Sequence, residues 1–137
     1  MRKELTPGQR ADLVKYRFEC AHHMMEDAHT LLASNGYNSA MNRLYYACFY
    51  AAEGLLLANH VEAQTHNGVK MQLSMLFFRT GKLPIEHAHT YYTLFEKRQS
   101  GDYGDYVYYD ATIVEQYLPK AEAFIKAIEA EAMPDME

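Results

Sequence analysis

Glycine and proline are scarce in this chain, seven and four among 137 residues. They stand mainly at breaks between longer segments, which argues against many short strands and for helices. Cysteine is scarcer still. Cys20 and Cys48 both lie in apolar stretches of helical pattern, where they read as small core hydrophobes. No framework of disulfide staples is expected, and the expected setting is reducing and cytoplasmic. Basic charge is not in excess: 13 Lys and Arg against 18 Asp and Glu leave a formal charge of −5. Generic binding of duplex DNA needs a dense basic surface, so the charge balance argues against that class, while it does not exclude one small basic cleft. The longest apolar stretch is interrupted by Glu53-Gly54 and is too short to span a bilayer. Met1-Arg2-Lys3-Glu4 leads into polar sequence, so neither a secretory leader nor a membrane partner is expected. A Gly-x-Ser-x-Gly nucleophile elbow and a glycine-rich phosphate loop are missing as well.

What is present suits a packed core. Half the chain is apolar (49%) and 13% is aromatic, enough to bury one domain of ordinary size. Thr6, Pro7 and Gln9 form the capping-box pattern that starts a helix. Val14, Phe18, Ala21, Met25, Ala28 and Leu32 then recur at spacings of four and three, the stripe of an amphipathic helix reaching about Asn35, with Gly36 as its stop. A second helix spans Ser39–Asn59 with Asn38 or Ser39 as cap. It is apolar nearly all round, as the most buried member of a bundle is. Thr65 caps a third helix from about His66 to Thr80, with Val69, Leu73, Met75, Leu76 and Phe77 inward and Gly81 ending it. A fourth covers about Pro84 to Ser100, followed by a Gly-, Asp- and Tyr-rich loop from Gly101 to Tyr109. Asp110 caps a fifth that continues to about Glu131, and Pro119 either kinks it or marks its true beginning. The expected fold class is all-α: one domain over residues 1–137, core about 6–131, built as an up-and-down bundle of about five helices.

Two polar intrusions break this pattern. Asn42, Arg43, Tyr46, Tyr50 and Glu53 form a stripe along the otherwise apolar second helix. On the fourth, about 100° per residue puts Arg98 on the same side as His87, Ala88, Tyr91, Leu94 and Phe95, although a guanidinium is costly on a core face unless it is paired or meets a wet cleft. Arg17 falls within the apolar face of the first helix and is a second arginine drawn inward. One reading is a buried network in which Arg43 or Arg98 pairs with Glu53 or Asp102 and fixes helix register. The other is an anion site at Arg43, Tyr46, Arg98, Asp102 and Tyr103.

Seven histidines raise a metal reading, because Glu19-x-x-His22, Glu26-x-x-His29 and Glu86-x-x-His89 match the pattern of carboxylate-bridged di-metal bundles. On the first helix, however, these residues fall opposite the apolar stripe, whereas di-metal ligands project inward. Solvated faces are the simpler reading, so no metal and no cofactor are expected, and a metal-binding bundle remains an alternative.

The stretches Ala40-Met-Asn-Arg43-Leu-Tyr45-Tyr46-Ala47, Thr65-His66-x-Gly68-Val69, Gly81-Lys82-Leu83-Pro84 and Arg98-Gln-x-x-Asp102-Tyr103 together resemble the HEPN domain family (higher eukaryotes and prokaryotes nucleotide-binding), nearest its stand-alone prokaryotic branch. The resemblance implies an HEPN-like bundle that forms a homodimer, partners a minimal nucleotidyltransferase and binds a nucleotide or RNA, in some cases as half of a toxin–antitoxin pair. Active relatives are metal-independent endoribonucleases with an Arg, a polar residue, three more residues and a His. Here Arg98 and Gln99 match, but Tyr103 stands at the His position, and a phenol with a pKa near 10 is a poor proton shuttle at neutral pH. In one toxin branch a tyrosine two places after that His is modified with AMP; the corresponding residue is Asp105, with Tyr106 one step late. The expected function is therefore a binding protein, with Arg98 and Tyr103 as the catalytic candidates. The alternative is a ribonuclease toxin in which Arg98 works with Tyr103 or a nearby histidine.

Overall fold

A computed structural model of the chain describes residues 4–103 and 108–133, with the side chains of residues 99–103 outside that description. The described residues form five helices: α1 (Pro7–Ala33), α2 (Tyr37–Ala58), α3 (His66–Leu73), α4 (Ile85–Tyr103) and α5 (Ala111–Ala132). No strand occurs among them. α2 is central and packs against each of the other four helices. Its Leu44, Tyr45, Ala47, Cys48, Ala51 and Leu55 are wholly shielded from solvent, as its nearly all-round apolar composition requires.

The start of α1 is the expected one. Thr6 Oγ1 accepts from the Gln9 amide at 3.1 Å while Gln9 Oε1 accepts from the Thr6 amide at 2.9 Å, so two otherwise orphaned donors are satisfied reciprocally. Its end is shifted. Asn35, not Gly36, takes the left-handed conformation (φ 64°), and the amides of Asn35 and Gly36 return to the carbonyls of Leu32 and Leu31 in a Schellman turn. α2 ends the same way: His60 is left-handed (φ 61°), and the Val61 amide reaches the Leu56 carbonyl at 2.9 Å.

Several expected boundaries are corrected. Neither Asn38 nor Ser39 caps α2, which begins at Tyr37 behind Gly36 with no side-chain cap. The Asn38 carboxamide instead accepts from the Tyr109 amide at 2.8 Å, a long-range bond that wins over the local one. Gly101, Asp102 and Tyr103 continue α4 rather than opening a loop; residues 104–107 of the expected loop lie outside the described residues. Pro119 lies inside α5, which runs continuously through it. The third helix changes character partway, passing from α3 into a π-helical turn at Ser74–Phe78. That wider turn exposes Met75 (47%) and buries Phe77 and Phe78, so the expected inward place for Met75 is wrong.

Candidate functional site

α2 and α4 each send polar residues to their common seam. Arg98 is half-buried on the core side of α4, below the buried Tyr91, Leu94 and Phe95, as its helical phase predicts. The guanidinium carbon lies 5.6 Å from the ring centre of Tyr45 and 5.7 Å from that of Tyr46. Nη2 donates to the Tyr46 hydroxyl at 3.2 Å. Two aromatic faces and a hydroxyl offset the cost of drawing the charge inward, each cation–π contact contributing about 0.5–2 kcal/mol according to its desolvation, while the aliphatic stem covers apolar surface.

Beside this platform is a cleft of about 240 Å³ lined by Asn38, Ser39, Met41, Asn42, Arg43, Lys97, Arg98 and Tyr109. It gathers three cations, and among the described residues none of those lining it is a carboxylate. Arg43 Nη1 donates to Asn42 Oδ1 at 2.8 Å, and its Nε is 3.7 Å from Asp27 of α1. The Tyr109 hydroxyl donates to the Lys97 carbonyl at 2.7 Å, and the Lys97 ammonium sits 5.7 Å from the Tyr109 ring centre. Together with the Asn38–Tyr109 bond, these contacts tie the chain entering α5 to the start of α2 and the end of α4.

The expected polar stripe of α2 divides in two. Asn42, Arg43 and Tyr46 belong to the cleft or its border. Tyr50 continues the aromatic ladder, 6.3 Å from Tyr46, and Glu53 turns to α1, its Oε1 3.9 Å from Arg17 Nη1. Arg17 is thus the second arginine drawn inward, and Glu53 serves it rather than Arg43 or Arg98. Burial pushes the Glu53 carboxyl above the usual carboxylate range, with Arg17 pulling the other way. The expected site residues Asp102 and Tyr103 continue the helix of Arg98, with side chains outside the described set.

A histidine that periodicity did not single out completes the platform. Thr65 Oγ1 accepts from the Gly68 amide at 2.9 Å and fixes the start of α3. A Cβ on Gly68 would sit 2.9 Å from that same oxygen, so the glycine keeps the cap close. The cap places His66 at the first helical position, where its Nδ1 is 2.7 Å from the Tyr45 hydroxyl and its ring stacks on Phe49 at 4.4 Å. Its ring centre lies 5.7 and 5.8 Å from those of Tyr45 and Tyr46. Burial pushes the Tyr45 phenol well above its ordinary range, so it remains an O–H group.

The Glu-x-x-His pairs are used differently. His22 Nε2 meets Glu129 at 2.7 Å and His29 Nε2 meets Glu122 at 2.9 Å, two exposed links across α1 and α5. Glu19, Glu26, Glu86 and His89 are exposed, and His87 packs edge-on against Phe124. Among the described residues no three His, Cys, Asp or Glu side chains converge as a metal cage would require. No helix among them is long and apolar enough to cross a membrane.

Comparison with known proteins agrees with this architecture. The family model described as HEPN domain matches residues 14–131. A UPF0332 protein of Thermotoga maritima is 36% identical over 122 residues, covering 89% of this chain and 92% of that one. "Putative toxin MJ0142" of Methanocaldococcus jannaschii is 32% identical over 95 residues, covering 69% of this chain and 60% of that protein. A UPF0332 protein of Gloeobacter violaceus is 30% identical over 100 residues, 73% of this chain and 75% of its own. With its helical bundle and a family match over most of its length, the chain belongs to the HEPN domain family.

Proposed function

We propose that the chain binds a phosphate-bearing ligand, a nucleotide or the backbone of RNA, at the cleft lined by Arg43, Lys97 and Arg98. It acts as a homodimer beside a minimal nucleotidyltransferase. The observation that carries the reading is the concentration of three cations in one cleft whose described lining residues include no carboxylate, in a chain whose net charge is −5. Guanidinium groups offer paired donors to phosphate oxygens, and the neighbouring Tyr46 ring offers a face to a base. The toxin name of the Methanocaldococcus relative supports a place in a toxin–antitoxin pair.

Titration of a labelled single-stranded oligonucleotide at increasing salt tests this reading. Three phosphate contacts predict a slope of log affinity against log salt of about −2, at roughly 0.7 per contact for single strands. Arg98→Ala and Arg43→Ala should each weaken binding and flatten the slope by about 0.7 with helical content unchanged. Absence of saturable binding at low salt, or a slope indifferent to both substitutions, refutes the assignment. Light scattering reads the dimer, and a small nucleotidyltransferase gene adjacent to that of this chain is the expected sign of the partnership.

A further inference from the structure

We propose that the cleft between α4 and α5 binds a small zwitterion, of the class of free α-amino acids. It is a site apart from the Arg98 cleft and shares no lining residue with it. Spacing along the two helices creates it. Glu86, Thr90 and Thr93 follow at intervals of four and three along α4, so their side chains share one face. Tyr117, Lys120 and Ala123 follow at intervals of three along α5 and meet them across a cleft of about 260 Å³. That is below the roughly 300 Å³ at which pockets take drug-sized ligands, so the space suits a small metabolite.

His87 is the residue that points to a ligand. It lines the cleft yet is only 8% exposed, and its ring packs edge-on to Phe124, 6.1 Å between centres. Among the described residues its imidazole makes no hydrogen bond and no ion pair. A polar group buried to that degree ordinarily has a partner in the protein, in water or in a bound molecule, and the cleft is the side open to one. The charges are arranged in the same way. Glu86 and Lys120 are both exposed on the cleft, one from each helix, and neither forms an ion pair among the described residues. The Lys120 ammonium instead stands 5.0 Å from the Tyr117 ring centre. Two opposite charges that share one space without meeting suit a ligand carrying both, its ammonium toward Glu86 and its carboxylate toward Lys120. The hydroxyls of Thr93 and Tyr117 likewise have no hydrogen-bond partner among the described residues. Thr90 Oγ1 donates to the Glu86 carbonyl at 3.2 Å and keeps its lone pairs for a donor. With His87, these groups offer the hydrogen bonds that a carboxylate and a polar side chain need. One lysine offset by one glutamate leaves no excess positive charge to hold a phosphate ester. Three convergent metal ligands are lacking among the described residues.

The test uses the full chain and each standard L-amino acid in the millimolar range, first by thermal melting, then by calorimetry on those that raise Tm. A ligand bound only by the folded state raises Tm saturably, by several degrees at about 100 times Kd. The expected result is saturable binding of at least one amino acid. Its deaminated acid and its decarboxylated amine, each lacking one charged contact, should bind about tenfold more weakly or not at all. Glu86→Gln and Lys120→Gln should each raise Kd about tenfold, with melting of the ligand-free protein unchanged. His87→Phe keeps a ring against Phe124 and removes the nitrogens. It should raise Kd about tenfold and leave the ligand-free Tm equal or higher, because a buried polar group without a partner is gone. A histidine that only packs would leave Kd where it was. If the new ring does not fit and that variant melts early, Ala123→Leu, at an exposed position, fills the cleft and should abolish binding. No saturable shift with any amino acid overturns the proposal. So does equal binding of the acid or the amine alone, which marks a site for a single charge. Binding that Glu86→Gln and Lys120→Gln leave intact overturns it as well, since the ligand then sits elsewhere.

Discussion

Gly54 is where α1 and α2 come too close for a side chain, and replacing it with alanine tests the packing directly. A Cβ built there would lie 2.7 Å from Phe18 Cε2, 3.1 Å from Cδ2 and 3.2 Å from Cζ. The Phe18 ring is 2% exposed, so it has no open space into which to retreat. Two effects oppose each other. Alanine within a helix is favoured over glycine by about 1 kcal/mol. Overpacking a filled core costs about 1–3 kcal/mol, and three ring atoms at these separations place the cost in the upper part of that range. The net expectation for Gly54→Ala is a loss of about 1–2 kcal/mol, read as a lower urea midpoint with unchanged slope. In thermal melts the same loss should lower Tm by roughly 3–10 °C for a domain of this size. The mechanism is isolated by Phe18→Leu, which withdraws the ring. In that background Gly54→Ala should be neutral or stabilising, giving a coupling energy of about 1–3 kcal/mol. A single Gly54→Ala that raises stability, or an effect equal in both backgrounds, would refute the reasoning.

Glu53 should make stability depend on pH. Its carboxyl is raised in the folded protein, chiefly by burial, so above the unfolded value near 4.5 the unfolded chain ionises first and folding loses free energy as pH rises through the interval up to the folded value. Glu53→Gln removes that loss. Its Tm advantage should be small at pH 4 and larger at pH 7, and an advantage that shrinks over the same range contradicts the sign. The two thiols should separate kinetically. Cys48 is fully buried and its thiol is pushed well above the ordinary range by desolvation, whereas Cys20 is half-buried. One equivalent of a thiol reagent should react in native protein and the second only in urea; equal rates would place Cys48 nearer the surface than the fold allows.

What could be seen in the sequence was what is local. The capping box of Thr6, Pro7 and Gln9, the core stripe of α1 and the inward phase of Arg98 all follow from spacing along one helix, and each is found as expected. The role of Asn38 is not legible in the sequence, because the same carboxamide can cap a helix or hold a distant backbone amide, and only the fold brings Tyr109 within reach. The inward direction of Arg17 was legible, but not its partner Glu53, since that pairing depends on how α1 lies along α2. His66 was part of a recognisable Thr-His-x-Gly stretch. Its chemical neighbours, Tyr45 and Phe49, lie on another helix, and no period within α3 points to them.

The π-helical turn at Ser74–Phe78 has a consequence for the length of the chain. A π turn is an α-helix that has absorbed one additional residue, and Met75 within it is 47% exposed, with its side chain largely outside the core. Deleting Met75 would remove the surplus and restore the ordinary helical ladder while Lys70 and Phe78 on either side kept their headings. The third helix therefore contains a site where a one-residue deletion can be absorbed without rotating either flank, the opposite of what a deletion does in an uninterrupted helix. Two lengths of sequence can thus present the same faces to α2 and α4.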